Sequence, residues 1–410
     1  MRKFIKIAWR NIWRNRRRSL ITMAAIVFAV LISGITRSLQ YGTYDALESY
    51  AVRLLVGELQ IQRAGFQDKQ TLAYAFPEDV FDWDDLLQQY PYLVTYAKRI
   101  TGFGLVGSEV TSAGAMILGV QPDREIQVTH FMKQLAAGEP LEPGDDRLVL
   151  LGKTLAKNLQ VGIGDTVVVL TQGYHNELGA DSYVVKGLVR SGNIDLDRAL
   201  MVMPLHNAQE LFFLGNRITQ VVFLTRDFRR ADGFARQMNL TSNGLDFVCL
   251  SWEKLMPELV QLIAWDNVSG AIFLVFLLII VGFEILNTTL MAIMERVREF
   301  GILQAIGVKP RQLGLMLLLE TGFKITMALM TGLLLTFVVI QIVKNYPIPL
   351  SGELKKMMEA WGFLTDFYFT SKPRVYLEPL IAVALISVLS ILYPIRVATR
   401  LIPVEALRRT

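Results

Sequence analysis

Four long apolar runs, Leu20–Thr36, Val268–Ile293, Leu315–Val343 and Leu377–Tyr393, decide most of what this chain can become. A helix rises about 1.5 Å per residue, so runs of this length cross a hydrocarbon core of roughly 30 Å if their flanks contribute. A hydrophobic fraction of 52% and a mean hydropathy of +0.37, with 19% charged residues, fit a few membrane helices plus a sizeable aqueous domain. Basic residues orient the spans. Eight Lys or Arg and no acid precede span 1 within Met1–Arg18; Arg296, Arg298, Lys309 and Arg311 follow span 2; Arg396, Arg400, Arg408 and Arg409 follow span 4. By the positive-inside rule all three segments are cytoplasmic, which requires four spans and both termini inside. The resulting division is 1–18 cytoplasmic, 19–40 span 1, 41–264 extracytoplasmic domain with stalk helices, 265–293 span 2 and 294–314 cytoplasmic loop. It continues with 315–343 span 3, 344–376 extracytoplasmic loop, 377–394 span 4 and 395–410 cytoplasmic tail. The exit from span 1, "SGITRSLQY", is a poor small-residue cleavage site, which favours an uncleaved anchor over a signal peptide.

The net charge of +5 and pI near 9.1 come largely from the membrane-flanking clusters, so lipid is the expected contact and no nucleic-acid partner is expected. Before span 1, Phe4, Ile5, Ala8, Trp9, Ile12 and Trp13 recur at helical spacing, with Lys3, Lys6, Arg10, Arg14 and Arg17 on the opposite arc. That pattern predicts an amphipathic interfacial helix, with Trp9, Arg10, Trp13, Arg14 and Arg17 touching lipid.

Between spans 1 and 2 the signals are mixed. "GELQIQRAG", "RLVLLG", "DTVVVLTQ", "SYVVKGLV", "ALMVMPL" and "TQVVFLTR" read as strands. "LGKTLAKNLQV", "LHNAQELFFLG" and "FRRADGFARQMNL" read as helices, so the fold class is a four-span α-helical bundle plus a large extracytoplasmic α+β domain. "GKT" at Gly152–Thr154 is not a phosphate loop: Arg147 stands where that motif needs a glycine. His130, His175 and His206 lack metal-ligand spacing, and the single Cys249 excludes an intrachain disulfide framework. With no nucleophile–base arrangement either, the chain is not expected to be an enzyme or to bind a metal.

Two groups of residues invite a functional reading. Glu284, Asn287, Glu320 and Lys324 fall at similar depth in spans 2 and 3, where an unpaired charge costs several kcal/mol. They are expected to form an intramembrane polar cluster, either a static ion pair or one that changes partners. The second group is the loop "MERVREFGILQAIGVKPRQL", Met294–Leu313. Glu295, Arg296, Arg298 and Glu299 offer ion pairs, and Phe300, Ile302, Leu303 and Ile306 offer apolar contact. Gly307 and Pro310 fit a helix stop followed by a new start.

Taken together, "AWRNIWRNRRRSLIT", "LNTTLMAIMERVREFGILQAIGVKPRQL" and "YPIRVATRLIPVEALR" resemble type VII ABC transporter permeases of the FtsX/MacB superfamily. "LLGKTLAKNLQVGIGDTV", "VVKGLVRSGNIDLDRALMVMPLHNAQELF" and "ILGVQPDRE" narrow the resemblance to the lipoprotein-releasing LolC/LolE branch, with a MacB-like periplasmic core. The resemblance implies a multi-pass protein of the bacterial inner membrane that extrudes lipoprotein or another envelope amphiphile by mechanotransmission. It implies a separate cytoplasmic ABC ATPase dimer holding the ATP and Mg, a second permease chain, identical or not, and a periplasmic chaperone or adaptor. Glu295, Arg296, Arg298, Glu299, Phe300, Gly301, Leu303, Ile306 and Gly307 would then couple to the ATPase. The branch's chaperone-binding hook would fall near Gln172–Ser182, which is short here. The other outcomes the resemblance leaves open are a MacB-like efflux permease for peptides or drugs and an FtsX-like regulator of a cell-wall hydrolase.

Overall fold

The computed structural model describes residues 9–14, 16–52, 56–133, 135–190, 194–241, 246–346, 348–349, 351–353, 355, 357 and 366–400. Lys3, Phe4, Ile5, Lys6 and Ala8 of the expected interfacial helix, and the C-terminal motif from Leu401 on, lie outside them. The chain divides into a membrane unit, drawn from residues up to Asp45, Ile263–Pro349 and Asp366 onward, and an α+β unit formed mainly by Ala46–Leu262.

In the membrane unit, helices run over Arg16–Ala51 (span 1), Pro257–Glu295 (span 2), Pro310–Asn345 (span 3) and Pro373–Thr399 (span 4), each long and apolar enough to cross a bilayer. All extend past the apolar runs, because a hydrogen-bonded ladder continues into polar flanks until something stops it. Spans 3 and 4 begin with Pro at the first helical position, where no backbone N–H is needed. Ile26, Ala29, Val30, Val281, Ile285, Ile325, Ala328 and Val383 form the buried seam among the four spans. Lipid offers no hydrophobic drive between helices, so close backbone approach must supply the attraction. Gly332 provides it: a Cβ there would stand 3.0 Å from the Val30 side chain and 3.3 Å from the Val27 Cα.

Spans 1 and 2 are also tied by polar groups near both ends. Arg18 Nη2 lies 2.5 Å from Glu295 Oε1. Towards the opposite end, the Tyr44 hydroxyl donates to Asp266 Oδ2 at 2.5 Å and the Gln40 amide to the Asp266 carbonyl at 2.8 Å. Span 4 joins that end through Tyr41, whose hydroxyl donates to Glu378 at 3.0 Å.

In the α+β unit the strands are β1 (Leu59–Arg63), β2 (Phe76–Pro77), β3 (Leu93–Gly107), β4 (Ser112–Val120), β5 (Leu135–Gly138) and β6 (Leu148–Gly152). They continue with β7 (Thr166–Gln172), β8 (Leu178–Val189), β9 (Leu200–Pro204), β10 (Arg217–Ile218), β11 (Gln220–Thr225) and β12 (Phe247–Ser251). Among the described residues, β2 pairs only with β10. The main sheet runs β12-β1-β11-β3-β4-β9-β6-β8-β5, and β7 pairs with both β3 and β8. β7 thereby closes a six-stranded barrel, β3-β4-β9-β6-β8-β7, while the first half of the 15-residue β3 carries the open part of the sheet.

Alternation sorts the barrel residues, since neighbours on a strand point to opposite faces. Val149, Leu151, Val167, Val169, Met201 and Met203 fill the main core, and Leu118, Val120, Leu150, Leu200 and Val202 pack outside against Phe131, Met132 and Leu141. Each of the six segments expected as strands contains one, and each of the three expected helical segments contains a helix, at Lys153–Leu159, Leu205–Leu211 and Ala231–Thr241. The short segment after Gln172 is a tight hairpin, with the Gly173 N–H donating to the Glu177 carbonyl at 2.7 Å. One charge pair lies deep in this unit. The Arg99 guanidinium, 2% exposed, donates from Nε to Glu125 Oε2 at 2.9 Å, and Thr129 donates its hydroxyl to the same carboxylate.

Candidate functional site: a braced helix at the span 2–span 3 turn

The loop after span 2 is itself helical. Span 2 ends at Glu295, Arg296 makes a turn, and a short helix covers Val297–Ala305. Gly307, at φ +96°, ends it in the left-handed conformation that side-chain-bearing residues avoid, and Pro310 opens span 3. The Gln312 side chain accepts from the Lys309 N–H at 3.0 Å and caps that start.

One face of the short helix is fixed inward. Phe300 is fully buried among Ile293, Leu313, Met316, Leu317 and Ala398, with Leu303 packed against the same cluster. Val297 and Gly301 are also buried. This corrects the expected role of Phe300 and Gly301: both anchor the helix to its own bundle and are not open to a partner. Their apolar character is used, but internally.

The charged residues are likewise engaged within the chain. Arg14 Nη2 donates to both oxygens of Glu299 at 2.8 and 2.9 Å. Arg18 holds Glu295 with two donors, at 2.6 and 2.5 Å. Arg296 donates from Nε to Glu299 at 3.1 Å and from Nη1 to Glu320 at 3.0 Å, with its guanidinium 5.2 Å from the Phe300 ring centre. Lys324 Nζ completes Glu320 at 3.1 Å, and the Asn11 amide adds a contact at 3.3 Å. The hydrogen bond from Arg14 holds the Glu299 carboxyl below the usual carboxylate range. Around a polar cavity of about 220 Å³, the guanidinium and ammonium groups of Arg14, Arg18, Arg296 and Lys324 face the carboxylates of Glu295, Glu299 and Glu320.

These pairs differ in weight. Arg14 and Glu299 are each about half exposed, so water screens them and their pair contributes at most about 1 kcal/mol. Glu320 is 7% exposed, and removing a partner there leaves buried charge, which costs several kcal/mol.

The four polar residues expected to cluster do not form one group. Glu320 and Lys324 meet, with Arg296 and Asn11 as additional partners. Glu284 and Asn287 instead line an apolar groove of about 800 Å³ between spans 1 and 2, beside Ile21, Ala25, Phe28 and Ile280. Equal depth put the four at one level, but the helical phase of residues 284 and 287 turns them to another face.

Besides Ala305 and the ion-paired Glu299, the short helix and its C-terminal cap leave a stripe exposed: Arg298, Ile302 at 49% exposure and Ile306 at 73%. Successive i,i+4 spacing puts the three on one face. Among the described residues Arg298 has no ion-pair partner. Trp9 and Trp13 are each nearly half exposed and Arg10 and Arg17 are exposed, while Ile12 is buried and Trp9 meets Phe323 edge-on at 6.0 Å. Asn11 and Arg18 were outside the expected site. Only the recurrence of basic residues ahead of a Glu-containing loop hinted at them, and sequence spacing cannot show that segments almost 300 positions apart are neighbours.

Residues 271–403 match the family model for the FtsX-like permease C-terminal region, and residues 19–239, more than half of the chain, match the MacB-like periplasmic core domain. The lipoprotein-releasing system transmembrane protein LolC of Xylella fastidiosa (strain Temecula1) is 26% identical over 309 residues, covering 72% of this chain and 73% of that protein. The protein of the same name from Neisseria meningitidis serogroup B is 22% identical over 342 residues, covering 80% and 81%. Among solved structures, the periplasmic region of MacB from Actinobacillus actinomycetemcomitans aligns with 50% of this chain and 93% of its own at 14% identity, with a TM-score of 0.35. The extracellular domain of the transporter YknZ from Gram-positive bacteria aligns with 48% and 99% at 14% identity, with a TM-score of 0.33.

Proposed function

We propose a role that starts from one premise: this chain belongs to the FtsX-like permease family with a MacB-like periplasmic core, as a membrane subunit of an ABC transporter. In this reading the short helix Val297–Ala305 is the coupling helix, and a separate cytoplasmic ATPase dimer, carrying ATP and Mg, docks on it. The carrying observation is the Arg298–Ile302–Ile306 stripe, an apolar ridge with one charge on a helix otherwise locked to its own bundle. A braced helix passes a push on to spans 2 and 3, whereas a loose one would absorb it. The basic segments then lie on the cytoplasmic side and the α+β unit on the outer face of the inner membrane.

The substrate is taken to be a lipoprotein or another envelope amphiphile handled at the outer face, because the relatives above are transmembrane proteins of lipoprotein-releasing systems. A second permease chain completes the assembly, and a periplasmic acceptor receives the product.

Two measurements test this. Ile302→Asp with Ile306→Asp should leave the chain inserted but abolish co-purification of an ABC ATPase and ATP-dependent release of lipoprotein from membranes. Undiminished ATPase binding in that variant would sink the docking role. Mass spectrometry of the purified complex should find a lipid-modified protein or similar amphiphile; a complex carrying neither, from cells whose lipoproteins stay correctly sorted on depletion, would remove the substrate assignment.

A further inference from the structure

The α+β unit carries a cavity that plays no part in the coupling site. It lies on the face of the open sheet opposite the main core. Cross-strand register sets Gln62 of β1, Gln220 of β11 and Arg99 of β3 side by side there, and Gln60 and Thr101 flank that row two residues along their strands. Directly paired residues share a face, as do residues two apart on one strand. Covered sheet faces are normally apolar, yet all five of these polar side chains are 8% exposed or less. Gln60, Arg99, Thr101 and Gln220 line a cavity of about 150 Å³, and the half-buried Gln67 and exposed Gln70 complete its polar wall. Hydrogen bonds fix which way the amides point. Gln60 Nε2 donates to the Val56 carbonyl at 2.7 Å, and Gln67 Nε2 donates more weakly to the Leu255 carbonyl at 3.4 Å. A carbonyl only accepts, so each nitrogen is spoken for and each Oε1 is turned elsewhere. Gln220 Nε2 donates to Thr101 Oγ1 at 3.1 Å. Among the described residues, the side-chain oxygens of Gln60, Gln67 and Gln220 and the whole amide of the fully buried Gln62 have no partner. Buried polar groups without partners are destabilising, and a ligand that brings donors would relieve them.

We propose that this cavity binds one ring of a neutral, hydroxyl-rich molecule, a saccharide unit, whose hydroxyls donate to the oxygens of Gln60, Gln67 and Gln220. The wall argues against either charge. An anion would face those amide oxygens, and the guanidinium of Arg99 is already held by Glu125 at 2.9 Å. A cation would lie beside Arg99, and the cavity wall offers no carboxylate. A hydroxyl both donates and accepts, so it can also take the proton of the Thr101 hydroxyl, which donates to no other described residue. Phe66 and Met116 add apolar surface for the C–H faces of a ring, and a volume of this order admits a single six-membered one. The exposed Gln70 marks the side from which a longer chain could enter. This goes beyond the permease reading and does not rest on it, since neither ATPase docking nor substrate release enters the argument.

The test is saturation-transfer NMR on the full-length chain in lipid nanodiscs, with glucose, maltose, phosphate, lysine and triglycine as probes. A sugar should receive transfer and saturate in the millimolar range, as a single ring held by a few hydrogen bonds does, and the other three probes should not. Maltose binding, with or without glucose, assigns a unit of a longer chain; glucose alone assigns a free sugar. Gln60→Met with Gln220→Met, close in shape but without the oxygens, should weaken sugar binding about tenfold at an unchanged thermal midpoint. Should that pair unfold the protein, Gln67→Met alone, at a half-buried position, should weaken it about threefold. Transfer to neither sugar, equal transfer to phosphate, lysine or triglycine, or full sugar affinity in the folded variants would overturn the assignment.

Discussion

Glu320 gathers three donors, from Asn11, Arg296 and Lys324, at a buried position in span 3. Glu320→Ala leaves Lys324 without its carboxylate and Arg296 with Glu299 alone, and should cost about 3–5 kcal/mol, read as a fall in the thermal midpoint of the detergent-solubilised protein. Glu299→Gln should change it by less than about 1 kcal/mol, because that pair is open to water. The pH dependence has the matching sign. The Glu299 carboxyl is depressed on folding, so its contribution is present above the ordinary Glu value of about 4.3 and is lost as pH falls through the folded value. Burial pushes the Cys249 thiol up to about 12, so thiolate is scarce at neutral pH. A maleimide should label Cys249 slowly in the native protein and rapidly in urea. Equal rates would mean that the α+β unit is open at β12.

The elements were legible to different degrees, for physical reasons. Apolar runs of span length can only be satisfied as helices, so the spans declare themselves. β7 reads as a strand from its short β-branched run, and so do β6, β8 and β11; the strict alternation of β7 lies in its burial, not in its sequence. β3 and β4 do not. Their interiors hold Gly102, Gly104, Gly114 and Gly119, which local propensity counts against a strand; close approach explains three of them, since a Cβ would meet Phe212 at Gly102, the Leu170 carbonyl at Gly104 and Ala208 at Gly119, while Gly114 has open space around it. At the candidate site, sequence showed that the loop mixes charge and apolar residues, but not which of them the bundle had already used. Phe300 and Ile306 look alike along the chain; packing buries one completely and leaves the other 73% exposed. The span 1–span 3 contact supports an element-scale prediction. Gly332→Leu places a side chain against Val27 and Val30, so it should lower the thermal midpoint while Gly322→Leu, with open space around it, leaves it nearly unchanged.

For the whole molecule, the family assignment covers both the membrane helices and the periplasmic core, so the permease role concerns nearly the full length of the chain. The ties between spans 1 and 2 have a consequence at this scale. Arg18–Glu295 and Tyr44–Asp266 stand roughly 40 Å apart along both helices. Two rods bolted near both ends form a truss: they can tilt or slide together, but cannot scissor open without breaking a bolt. Lengthwise load applied at Glu295 would then reach Asp266 with little lost to bending. Spin labels on spans 1 and 2 should give a narrow distance distribution near both ends, and Tyr44→Phe should broaden it only near Asp266. A broad distribution at both ends of the unmodified chain would mean two independent helices, and a push at Glu295 would dissipate before reaching Asp266.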